Sequence, residues 1–198
     1  DQNGATMASA TVTWATSDAA VATVSSSGLV TSVAAGPATI TATSGAASAT
    51  ASVTVAQVAA SIALSDTVLT FASLADTTQL TATVTDASGE TISGATVTWT
   101  TSSSSVATVS SAGLVTSVAD GTATITATSG SVNKTATATV SQVASGLGLS
   151  AGSVSLTSPG DTAQLTATVT DANDNTMSGA TVTWATSNSS FATVSSAG

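Results

Sequence analysis

The sequence has no cysteine, histidine, arginine or tyrosine, and its one basic residue is Lys134. Each absence removes a chemistry. Without Cys there is no disulfide framework, and without His and Cys there is no imidazole base, no thiolate nucleophile and no ordinary zinc site. One Lys cannot clamp phosphates, which argues against nucleic acid. An anionic membrane surface would repel a chain with a net charge of −9. No run of about 18 apolar residues is present, so no segment reads as a transmembrane helix. The chain opens without Met, so the lack of a leader says nothing about secretion.

Charge itself is scarce. Charged residues make up 6% of the chain, against roughly 25% in an ordinary soluble domain. Solubility then rests on Ser and Thr hydroxyls, on net negative charge or on attached glycans. The scarcity of Lys and Arg leaves almost no tryptic sites, which suits a protein living outside a cell. Only scattered carboxylates remain for catalysis. A glycosidase needs two of them about 5–10 Å apart in a cleft, and no such pair is visible. The composition therefore reads as non-enzymatic, with no cofactor required.

What is present is repetition. Trp14, Trp99 and Trp184 stand 85 residues apart, and sliding the sequence by 85 aligns it without a gap. Gln79 through Asp86 match Gln164 through Asp171 without a change, and Gly28 through Val33 match Gly113 through Val118. Gln57 and Gln142 close two modules at the same place. The boundaries fall after them, giving a back part at 1–57, a complete module at 58–142 and a front part at 143–198. The two partial modules overlap by 28 aligned positions, so they do not add up to one domain. The simpler reading is a window from a longer array.

Within the middle module the period is two. Leu80, Ala82 and Val84 alternate with Thr81, Thr83 and Thr85, and Ala123, Ile125 and Ala127 alternate with Thr122, Thr124, Thr126 and Thr128. Alternation with β-branched residues on one face predicts half-buried strands. Seven are expected, at 60–64 continuing through 67–72, then 78–85, 95–100, 106–110, 114–118, 122–129 and 134–141. Residues 1–57 hold the third to seventh of these strands, and 143–198 the first to fourth. Gly-containing turns separate them. The fold class is all-β, tandem immunoglobulin-like sandwiches of about seven strands in an elongated array.

The stretches Val97-Thr98-Trp99, Ser105 through Ser110, Gly113 through Val118 and Gly121 through Ala127 resemble the bacterial immunoglobulin-like domain, group 2. The front of the module, with Gln79 through Val84 and Asp86 through Gly94, is similar to the related group 1 domains of intimin- and invasin-like proteins. The resemblance covers essentially the whole chain. It implies stalks of adhesins and other surface proteins, accessory modules of secreted enzymes or decorations on phage particles, and no catalytic residues.

Three features are candidate sites. Trp14, Trp99 and Trp184 read as the central core residue of each module, in preference to platforms for sugar rings. Acidic positions flank the second strand: Asp76 and Asp161 before it, and Asp1, Asp86 and Asp171 after it, the last in the run Asp171-Ala172-Asn173-Asp174-Asn175. Such oxygen ligands suit Ca²⁺. Within one module about 10 residues of strand, roughly 33 Å, keep the two positions apart. Stacked head to tail, Asp76 faces the loop of the next module. Plain turn formation by Asp and Asn is the leading reading, with a weak inter-domain Ca²⁺ site of Asp76, Asp171, Asn173 and Asp174, or a hydrated contact there, as the functional alternative. The threonine rows read as exposed ladders, with O-linked glycans or ice binding as functional alternatives. Asn133 and Asn188 fit the N-glycosylation pattern.

These readings point to a structural stalk or fibre segment of an extracellular, secreted bacterial surface protein, adhesin-like, acting as a semi-rigid spacer. Its partners would be neighbouring immunoglobulin-like domains of the same chain or fibre, with glycans or cell surfaces bound by parts outside this segment. The alternatives are a glycan-binding or virion-decorating module, or a strand-exchanging subunit of an extracellular filament, since exposed edge strands accept another strand.

Overall fold

A computed structural model describes residues 10–198, all of them strand, turn or loop. Asp1, one of the acidic positions, lies outside the described residues. The chain divides into two compact units, 1–58 and 59–198.

In the first unit, β1 (Thr13–Thr16), β4 (Gly36–Ser44) and β5 (Ala47–Val55) form one antiparallel sheet, and β2 (Ala22–Val24) pairs with β3 (Val30–Ser32). A small core of Val21, Ala22 and Ala38 lies between them, backed by Val53 and Val55.

The second unit holds a closed sandwich. Its strands are β6 (Ser61–Leu64), β7 (Val68–Phe71), β8 (Thr77–Gln79), β9 (Ala82–Thr85), β10 (Thr98–Thr101), β11 (Ala107–Val109), β12 (Leu114–Ser117), β13 (Gly121–Ser129) and β14 (Val132–Val140). One layer is the four-stranded sheet β10-β13-β14-β7, in which β7 runs parallel to β14. The facing strands pair as β6-β9 and β11-β12-β8. The first predicted strand is interrupted between its two expected pieces, and the second, expected whole at 78–85, is broken as well. Ser65 and Asp66 turn the chain from β6 into β7, and so from one layer to the other. Leu80 and Thr81 interrupt the second strand, leaving β8 on β12 and β9 on β6.

Alternation along the β13–β14 hairpin sends Ala123, Ile125, Ala127, Ala136, Ala138 and Val140 inward, all at most 2% exposed. Their Thr neighbours Thr122, Thr124, Thr135 and Thr137 point to solvent. With so much Ala on the inner face, Leu69, Phe71, Leu80 and Val115 supply most of the volume.

The tryptophans correct an expectation. Trp99, in the complete module, is half-buried and is not its sealed centre; Trp14, 37% exposed, has no counterparts of β6 to β9 to cover it among the described residues. For Trp99 the reason is topological. β10 is the edge of its sheet, so a side chain on it has a strand neighbour on one side alone. Trp99 instead bridges two clusters, the main core and a smaller one of Ile62, Val84 and Ala127.

After the sandwich come β15 (Gly146–Leu149) and β16 (Ala167–Thr170), paired antiparallel. Residues 183–186, aligned with β10, form no strand. A strand needs a ladder partner, and the described residues hold no third counterpart of β13. Leu147, Leu149, Val154, Leu156 and Phe191 are exposed for the same reason. The first unit shows the complementary effect: Val30 is 37% exposed, whereas its counterpart Val115 is fully covered.

Candidate inter-module joint

The chain passes from the sandwich into the next module without a linker. Ser141 N–H donates to the Phe71 carbonyl (3.0 Å) and Val143 N–H to the Ala72 carbonyl (2.8 Å), so the crossing segment is itself hydrogen-bonded to the module it leaves. Alongside it stands the pole of the sandwich. There Ala75 adopts a positive φ of 62°, and its N–H donates to Ser117 O at 3.0 Å. Asp76 Oδ2 accepts from Ser73 N–H (3.2 Å), and the Ser117 hydroxyl donates to the Ser73 carbonyl (2.8 Å). These bonds fix the direction of the Leu74 N–H and C=O and of the second oxygen of Asp76, Oδ1.

The loop that meets this pole is built around Asp171, which is 1% exposed. Its Oδ1 accepts from the N–H groups of Asn173 (2.9 Å) and Asn175 (3.0 Å), closing the loop on itself. Its Oδ2 accepts from Leu74 N–H (2.8 Å) and Gln142 Nε2 (2.9 Å), both in the preceding module. Asn173 Nδ2 donates to Leu74 O (2.8 Å) and to Asp76 Oδ1 (2.8 Å), and Asn175 Nδ2 donates to Leu74 O at 3.1 Å. Leu74 thus offers its N–H to a carboxylate and its C=O to two carboxamides. Among the described residues, no buried side-chain nitrogen or oxygen lacks a partner.

Burial pushes the Asp171 carboxyl up, but the Gln142 amide and the N–H groups of Leu74, Asn175 and Asn173 outweigh it. They hold the acid well below the ordinary carboxylate range. Asp161, the counterpart of Asp76, is also lowered, chiefly by the Thr157 hydroxyl and then by the N–H groups of Thr157 and Ser158.

Asp76 and the 171–175 loop meet through direct N–H···O bonds. Asp76, Asp171 and Asn173 come together. Asp174 sits on the exposed outer turn at a φ of 61°, with its N–H on Asp171 O (3.1 Å). Among the described residues, no three Asp, Glu, His or Cys side chains group closely enough to hold a metal ion. Asn133 is exposed near the start of β14, and Asn188 is exposed with its Oδ1 accepting from Ser190 N–H (2.9 Å). Trp184 is half-buried. Three members of the joint were not among the expected ligands: Leu74, Gln142 and Asn175. The recurrence of Gln57 and Gln142 at module ends was a usable signal for Gln142. Leu74 acts through its backbone, which every residue carries.

These features define a tandem array of immunoglobulin-like sandwiches with a built joint. The sequence profile of the bacterial Ig-like domain (group 2) matches residues 2–55 and 58–140, and the chain belongs to that family. No curated protein matches the sequence. Among solved structures, domains 1–6 of the surface layer protein SbsC align with a TM-score of 0.43 at 24% identity, over 84% of this chain and 24% of that one. Domains 4 and 5 of the S-layer protein SbsC align with a TM-score of 0.41 at 26% identity, over 71% of this chain and 77% of that one. Human protocadherin-24 EC1-2 aligns with a TM-score of 0.31 at 12% identity, over 68% of this chain and 83% of that one.

Proposed function

We propose that the chain is a non-enzymatic spacer in an extracellular bacterial surface protein, an adhesin-like stalk whose modules set reach. The observation that carries this reading is the linker-free passage at 141–143 together with the bonded joint around Asp171. A chain built to present independent binding modules gains nothing from locking one against the next. A spacer does, because a bonded joint limits bending and makes length proportional to module number. Membership of the bacterial Ig-like family, the low charge and the near-absence of tryptic sites support placement outside the cell.

The test uses intact cells of the source organism and antibody raised against the 198-residue chain. Surface labelling that external protease removes supports the reading. Labelling only after permeabilisation overturns it. Saturable binding of a purified glycan by the chain would favour a binding module instead.

A further inference from the structure

We infer that the joint is sequence-addressed: the pole formed by Leu74, Asp76 and Gln142 accepts a loop of the form Asp-x-Asn-x-Asn, and the two carboxamides decide whether the joint is stiff. The inference rests on the spacer reading only for what the stiffness serves.

The argument comes from comparing the two copies of this loop that lie among the described residues. In the loop 86–90, Asp86 Oδ1 accepts from Ser88 N–H (2.9 Å) and Glu90 N–H (3.0 Å), Asp86 N–H donates to Glu90 O (2.9 Å), and Gly89 N–H donates to Asp86 O (3.0 Å). The loop 171–175 has the same four bonds within 0.1 Å. Loop closure therefore needs only the leading Asp. It does not need Asn at the third and fifth positions, because Ser88 and Glu90 fill them in the other copy. Asn173 turns its amide across the joint, and Asn175 divides its Nδ2 between the joint and longer contacts, 3.3–3.5 Å, to Asp171 and Asn173 O in its own loop. The two side chains supply the donors to Leu74 O and Asp76 Oδ1. A Ser hydroxyl has one donor where Asn173 uses two, and a Glu carboxylate has none. Glu would also place a negative charge against a carbonyl and beside Asp76 and Asp171.

The pole varies as well. Pro159 stands at the position of Leu74 in the following module and has no N–H. The leading Asp, the closing Gln and the pole carboxylate (Asp76, Asp161) are constant through the repeat, while the positions of Leu74, Asn173 and Asn175 change. That is the pattern of an address carried on a fixed scaffold.

The native absence of Cys allows a direct test in the full 198-residue chain. Spin labels at Thr124→Cys and Thr168→Cys, both solvent-exposed strand positions, report the distance across the joint. A narrow distance distribution is expected with the native loop. The double substitution Asn173→Ser with Asn175→Glu, which installs the residues of the other copy, should broaden it several-fold, and so should Leu74→Pro. Both changes use residues this repeat already carries at the aligned positions, and circular dichroism confirms that the strands remain. Native-like narrowness in both variants overturns the address and leaves the spacer reading standing. A broad distribution already in the native chain overturns the stiff joint and the spacer reading together.

Discussion

The indole of Trp99 closes on the backbone of Gly113, so that a Cβ added there would lie 3.0 Å from both Cε2 and Cζ2 and 2.5 Å from the Leu80 carbonyl oxygen. The same pairing recurs at Trp14 with Gly28, where the nearest ring carbon would be 2.8 Å away, and at Trp184 with Gly198, at 2.9 Å. The 14-residue offset between Trp and Gly is thus a packing motif: an indole ring seated on a turn that has no side chain.

Gly113→Ala should therefore be far more damaging than Gly130→Ala. Both residues have positive φ, 84° and 57°, so each substitution carries left-handed strain of about 1–2 kcal/mol. Nothing lies within 4 Å of a Cβ at Gly130. At Gly113 overpacking adds about 1–3 kcal/mol more. Thermal melts of the two variants should separate clearly, with Gly113→Ala lower. Equal melting temperatures would mean that the ring moves aside without cost.

Trp99→Ala should cost about 2–3 kcal/mol, below the roughly 3–5 kcal/mol of a fully buried aromatic. The ring is half-buried and loses contacts with two clusters, but the core centre stays filled by Leu80, Ile125 and Val115. Leu80→Ala, at a site 1% exposed, should destabilise at least as much. Urea titrations that ranked Trp99→Ala well above Leu80→Ala would restore the tryptophan to the centre.

The strands were legible because alternation is local. The hairpin expected at 122–129 and 134–141 is observed at Gly121–Ser129 and Val132–Val140. Pairing was less legible. A period of two says which face a residue takes and not which strand lies beside it, so the split of 78–85 between two partners at Leu80 was invisible. The tryptophan was overestimated because a large residue in a small-residue sequence looks central, whereas its burial depends on the position of β10 at the sheet edge. For the joint, the residues with distinctive side chains, Asp76, Asp171 and Asn173, stood out. The Leu74 amide, where the bonds converge, has no sequence signature.

Acid should leave the joint intact over most of the accessible range. The folded state holds the Asp171 carboxyl below its ordinary value of about 3.9. A depressed acid contributes stability above the unfolded value, and that contribution is lost only as pH falls through the folded one. The label-to-label distance should stay narrow from neutral pH down to about 4 and broaden only below that. Broadening between about pH 6 and 5 would show that another group controls the joint. Asp171→Asn should broaden it at every pH, because a carboxamide brings its own donors against the Leu74 and Gln142 donors.

Calcium should have little to hold at the joint. A carboxylate offers about four lone-pair directions, and those of Asp171 meet the N–H groups of Leu74, Asn173 and Asn175 and the Gln142 amide at 2.8–3.0 Å. Asn173 and Asn175 turn their nitrogens, not their oxygens, toward Leu74 O. A cation entering here would have to break at least one charge-assisted bond and rotate the carboxamides, while Asp76 keeps one oxygen on Ser73 N–H. Saturating EDTA and added millimolar-range Ca²⁺ should therefore both leave the melting temperature and the label-to-label distance unchanged. A rise in melting temperature with Ca²⁺, abolished by Asp171→Asn, would instead mean that the loop opens to coordinate the ion, with the hydrogen-bonded arrangement as its metal-free state.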